Sequence, residues 1–184
     1  MKMNRRSALR TLMVVTAGVT LLPSCVQHPR KAGVACKHLQ LNGEQESMVA
    51  LIAAIIIPTT TTPGAKETGA YRFALIMIDD CCSAKDQEQF QDGLRKFEAM
   101  VKEKEGKSFL DCTPAQQHQW VAMLNDGKSL PHNVDAFYHM LKRYTIEGFT
   151  GSQYFLTKVR VYELVPSRFH GCIAVNKVSP SIDN

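Results

Sequence analysis

Apolar residues recur at helical spacing along most of the chain. Met48, Val49, Ile52, Ile55 and Ile56 fall three and four residues apart, the period of one helix face. Asn42 precedes them with Gln45 three residues on, the pairing of a capping box, and Pro58 closes the segment. A Thr/Pro/Gly loop runs from Thr59 to Gly64. The pattern then predicts a second helix from about Gly69 to Asp80. Its stretch from Phe73 to Ile78 is apolar nearly all round, which points to a central, buried helix. The same six residues also fit a short buried strand.

Ser83 and Asp86 open a third segment, Ala84 to about Glu105, with Phe90, Leu94, Phe97 and Val101 on one stripe. Gly93 weakens its middle by about 1 kcal/mol relative to alanine, and Gly106 ends it. Thr113, Pro114 and Gln116 start a fourth helix that carries Trp120, Val121 and Leu124 and stops near Gly127. A fifth is expected from about Asn133 to Glu147, with Phe137, Met140, Leu141 and Tyr144 apolar and Gly148 as its end. A short helix from Ser152 to about Tyr162 follows, then an irregular tail containing Pro166, Gly171 and Pro180. The expectation is an all-α fold, one compact bundle of five or six helices over residues 42–175, with 176–184 as a flexible tail.

The charge is uneven. The 184 residues include 22 Lys and Arg and 17 Asp and Glu, a formal net charge of +5. Lys2, Arg5, Arg6 and Arg10 account for four of those charges, and no acid precedes residue 25. The rest is close to neutral, so it lacks the basic footprint a general nucleic-acid binder needs against phosphates. No apolar run reaches the 18 or so residues of a membrane span.

The opening reads as an address, with residues 1–24 as a signal peptide. A basic start, a short apolar run from Leu12 to Leu22 and a small residue before a break make a secretory signal. Adjacent Arg5 and Arg6, with Leu9 and Arg10 behind them, resemble the twin-arginine export signal. Thr16, Gly18 and Thr20 dilute the apolar run, as suits that route. Leu22, Pro23, Ser24 and Cys25 resemble a lipobox, which would place a lipid on Cys25 and hold the protein at a membrane surface. Residues 25–41 then read as a polar tether, and the expected location is the periplasm, anchored to the membrane.

Motifs for chemistry are missing. The chain has no Gly-x-Gly-x-x-Gly, no phosphate loop, no Gly-x-Ser-x-Gly elbow, no His-Glu-x-x-His and no Cys-x-x-Cys-His. His132 and His139, seven apart, suit a solvated helix face better than a metal site. Neither a catalytic residue nor a cofactor or metal ligand is therefore assigned. With Cys25 lipidated, five cysteines remain: 36, 81, 82, 112 and 172. Outside the cytoplasm disulfides persist. A Cys81–Cys172 bridge would tie the tail to the second helix, with Cys82 as a rival for Cys172.

An ordered set of segments carries a resemblance. These are Ile56 to Thr59 with Thr62 to Ala65, Gly69 and Ala70, and Asp79 to Cys81. Next come Gln89, Phe90, Gly93 and Leu94, then Phe109 to Gln116, Thr145 to Ser152 and Tyr162 to Cys172. Together they resemble the gluconate 2-dehydrogenase subunit 3 family, the small subunit of membrane-bound FAD-dependent sugar and sugar-acid dehydrogenases. The resemblance implies a non-catalytic partner of a large flavoprotein subunit that holds the FAD. A multihaem cytochrome c subunit often completes such complexes. It also implies that this chain carries the export signal for its cofactor-loaded partner. The aromatics of the C-terminal third, Phe149, Tyr154, Phe155, Tyr162 and Phe169, are the candidate partner interface. Two other readings are a free-standing helical envelope lipoprotein that binds or scaffolds, and an enzyme using Asp79, Asp80 and a histidine as acid–base groups.

Overall fold

The computed structural model describes residues 32–128 and 130–160. Over that range the chain folds into five α-helices: α1 Gly43–Ile56, α2 Ala70–Cys81, α3 Ala84–Glu105, α4 Pro114–Asp126 and α5 His132–Thr150. A 3₁₀ turn, Phe109–Asp111, joins α3 to α4, and a π-helical turn, Phe155–Val159, follows α5. There is no β-strand among the described residues, so Phe73–Ile78 is helical.

The helix starts follow the capping chemistry. Asn42 Oδ1 accepts from the Gln45 N–H at 2.8 Å, and Gln45 Oε1 accepts from the Asn42 N–H at 3.2 Å. Thr113 and Gln116 exchange the same pair of bonds at the start of α4, where Pro114 leaves no donor to satisfy. Ser83 Oγ accepts from the Asp86 N–H to open α3. Gly106 and Gly127 end α3 and α4 at φ of 69° and 66°, a region that costs other residues energy.

The central element is α5. It packs against α1, α2, α3 and α4 and buries Val134, Phe137, Tyr138, Leu141, Thr145 and Gly148. Phe137 lies 5.1 Å from Phe90 and 6.2 Å from Phe97, ring centroid to ring centroid. Phe97 in turn meets Phe109 and Trp120 edge-on at 5.3 and 5.9 Å. These aromatic contacts join α3, α4, α5 and the 3₁₀ turn into one core.

Two expectations about these helices change. The all-round apolar α2 is not the central helix: Phe73 is 37% and Ile76 46% exposed, and only the face with Tyr71, Ala74, Leu75 and Ile78 is buried. Nor does Gly148 end α5, which runs on to Thr150. A Cβ at Gly148 would lie 2.7 Å from the Phe73 ring, so the glycine admits a close crossing of α2 over α5. Gly93 does the same between α3 and α5, where a Cβ would come within 2.1 Å of the Asn133 carbonyl oxygen. Its missing side chain is a packing requirement as well as a loss of helix propensity.

Candidate functional site

Two buried carboxylates fix the segment ahead of α1 to the helices. Asp79, in the last turn of α2, is buried. Its Oδ2 accepts the Lys37 N–H at 2.6 Å, and its Oδ1 accepts those of His38 and Leu39 at 2.8 and 2.7 Å. Glu46 on α1 accepts the N–H groups of Gly33 and Val34, the latter at 3.2 Å. Leu39 is tucked into the core beneath these bonds. The expected tether is therefore a bound strap from Gly33 onward.

Burial pulls the Asp79 carboxyl upward, but the three backbone donors outweigh it and hold the group below its ordinary range. Gln87 caps the same helix end, its Nε2 donating to the Asp79 carbonyl at 2.7 Å and the Cys82 carbonyl at 3.2 Å. Asp79 is thus occupied by backbone donors and is not free for acid–base work. Cys36 lies within the strap; burial first, then the Asp79, Glu46 and Asp80 charges, push its thiol up to about 11.

The opposite character appears on α2, the end of α5 and the turn beyond it. The exposed large apolar residues there are Phe73, Ile76, Ile146, Leu156 and Val159. Phe73 touches Gly148, and the neighbouring Phe149 meets Phe155 edge-on at 5.8 Å, so these elements are linked by contact. Phe73 and Ile76 lie on α2, Ile146 on α5 and Leu156 and Val159 on the π turn, and large apolar residues left open on neighbouring elements of a helical domain suit contact with a partner.

Three of the interface residues expected from sequence lie at the end of α5 and in the turn beyond it. Phe149, Tyr154 and Phe155 are half-buried. Tyr162 and Phe169 lie outside the described residues, as do Arg5, Arg6, Cys25 and Cys172. Sequence reasoning missed Phe73 and Ile76 because it assigned them to the core. Their signal was present: a helix apolar all round and packed on one side must leave apolar residues open.

A groove of about 360 Å³ is lined by Met100, Glu103, Lys104, Trp120 and Met123, with Lys104 Nζ 5.1 Å above the Trp120 ring. His139 pairs with Asp135 at 3.4 Å, one turn away on α5. Among the described residues no three His, Cys, Asp or Glu side chains are placed to share a metal ion, and no helix is long and apolar enough to cross a membrane.

A family model described as gluconate 2-dehydrogenase subunit 3 matches residues 43–166, about two-thirds of the chain. The chain belongs to the gluconate 2-dehydrogenase subunit 3 family. No curated protein and no solved structure matches it. The family match begins at the first residue of α1 and takes in all five helices and the π turn. It includes both strap-binding carboxylates, Glu46 and Asp79, and the five exposed apolar residues named above. The strap itself lies ahead of the match. It presents backbone N–H groups, which carry no side-chain signature, so only its acceptors belong to the family segment.

Proposed function

We propose that this chain is the non-catalytic small subunit of a membrane-associated, periplasm-facing, FAD-dependent gluconate or sugar dehydrogenase. In this reading it supports the assembly and twin-arginine export of the catalytic flavoprotein subunit. The observation that carries it is a set of large apolar residues left open on neighbouring elements of a domain whose family is one subunit of a dehydrogenase. A subunit built to hold a permanent partner keeps apolar area available, because such interfaces are large and core-like.

Ile146, Leu156 and Val159, bordered by Phe149, Tyr154 and Phe155, are the proposed contact residues, with Tyr162 and Phe169 continuing the set. Arg5 and Arg6 supply the export signal, and lipid on Cys25 supplies the membrane anchor. The FAD belongs to the partner, and a multihaem cytochrome c passes electrons onward. The neutral body of the chain agrees with a role decided by apolar contact and not by charge.

The test is to express the catalytic subunit with and without this chain, and with Arg5→Lys/Arg6→Lys. The expected result is active flavoprotein outside the cytoplasm only with the intact chain. Equal export and activity in all three cases would overturn the proposal.

A further inference from the structure

The strap ahead of α1 is fastened mainly through its backbone. Five of its N–H groups end on two carboxylates: those of Gly33 and Val34 on Glu46, and those of Lys37, His38 and Leu39 on Asp79. The Gln40 N–H adds a bond to Gln91 Oε1 on α3 at 2.9 Å. Of residues 33–40 only Leu39 is fully buried; Val34 and Cys36 lean half-buried on the core, and Ala35, Lys37, His38 and Gln40 are exposed. The Lys37–Asp80 ion pair is exposed on both sides and adds little. A segment with one buried apolar side chain and partly exposed bonds opens at lower cost than the core beneath it.

The helices close without the strap. Asn42 and Gln45 cap α1 between themselves, so its first turn is complete without the residues ahead of it. The aromatic contacts that join α3, α4, α5 and the 3₁₀ turn involve no strap residue. Cys36 sits where the strap bears on the core, and burial first, then the Asp79, Glu46 and Asp80 charges, hold its thiol up at about 11. The thiolate is the nucleophile, so Cys36 is nearly inert while the strap is docked. Once the strap is away, the thiol returns to its ordinary, lower range.

We infer that residues 33–39 open as one latch while the five helices stay folded, and that a disulfide exchanged onto Cys36 holds the latch open. In the open form the Cys36 thiolate attacks one sulfur of a small-molecule disulfide. A sulfur–sulfur bond to Cys36 replaces the one that breaks, and the second half of the reagent leaves as a thiolate that takes up the proton Cys36 gave up. A peptide-sized adduct cannot fit beneath a strap whose thiol already packs against the core. Exchange with a free thiol removes the adduct and lets the strap return. An open latch uncovers the Glu46 and Asp79 carboxylates and adds up to about 25 Å to the reach of the chain ahead of α1. The inference rests on the strap's own bonds and does not require the partner subunit.

The experiment uses the purified, reduced full chain and a thiol-alkylating reagent at one pH, with each cysteine followed by mass mapping. Labelling tracks the population of the open form when opening and closing are fast. Cys36 should label at least about 10-fold faster than Cys112, which is buried and reports opening of the helical core. Asp79→Asn should raise the Cys36 rate about 10-fold further and leave the Cys112 rate unchanged, since the charged acceptor of three bonds is lost. Equal rates at the two cysteines in the parent chain would overturn the latch, because both would then wait for the same unfolding. So would a Cys36 rate that does not respond to Asp79→Asn. If that variant loses its fold, Cys112 labels fast as well and the parent ratio decides. Glutathione disulfide should then speed tryptic cleavage after Lys37 about 10-fold in the parent chain and not in Cys36→Ala. An unchanged cleavage rate after the treatment, or the same acceleration in Cys36→Ala, would reject the redox step. None of these outcomes bears on export of the flavoprotein, which the co-expression test reads separately.

Discussion

At the scale of single residues, Asp79 does the most. One carboxylate satisfies three consecutive backbone donors of the strap, and its own helix end is capped by Gln87. Hydrogen bonds to a charged acceptor contribute about 1.5–3 kcal/mol each when partly buried, though the strap regains water when released. Asp79→Ala should therefore cost about 2–3 kcal/mol overall. It should also speed tryptic cleavage after Lys37, which the bound backbone resists in the parent chain. Thermal denaturation and timed proteolysis check both effects. The sign of the pH dependence follows from the depressed carboxyl. A group whose folded value lies below its unfolded one stabilises above the unfolded value, about pH 4, and loses that contribution as pH falls through the folded value. The parent chain should lose stability on that acid limb, and Asp79→Ala should lose less. An unchanged acid limb in the variant would remove Asp79 from this role.

At the scale of helices, close crossings organise the bundle. Gly93 lies against the Asn133 carbonyl and Phe137 Cβ, and Gly148 lies under Phe73. Gly93→Ala should destabilise the protein by about 2–3 kcal/mol, since the contact is with backbone and overpacking forces helices apart. On helix propensity alone the same change would stabilise by about 1 kcal/mol. Urea unfolding distinguishes the two by sign. This opposition also shows how far the sequence could be read. Starts and ends set by local chemistry were legible: the Asn42–Gln45 and Thr113–Gln116 boxes, the Ser83 cap, and the stops at Pro58, Gly106 and Gly127. What depends on neighbours was not. Gly148 resembles a helix stop in sequence and serves as a crossing point in space. The apolar run Phe73–Ile78 gives a helix its composition but not its place, so α2 was expected at the centre that α5 occupies. The strap was least legible, because its bonds are made by backbone groups common to any sequence, and only Asp79 and Glu46 could have announced them.

At the scale of the whole molecule, a near-neutral helical domain of the subunit 3 family is held together by an aromatic core and, among the described residues, leaves Phe73, Ile76, Ile146, Leu156 and Val159 open. A surface of that kind is costly in an isolated protein and useful in a subunit. The proposed occupant of these residues is a flavoprotein subunit. The most direct measurement is affinity purification of the tagged chain from gently solubilised membranes, followed by an absorbance spectrum of the eluate. The expected eluate holds a second chain of flavoprotein size with the bands of bound flavin, lost when Ile146 and Leu156 are both changed to Asp. A colourless, stable monomer from the parent chain would contradict it and leave a free-standing helical envelope protein.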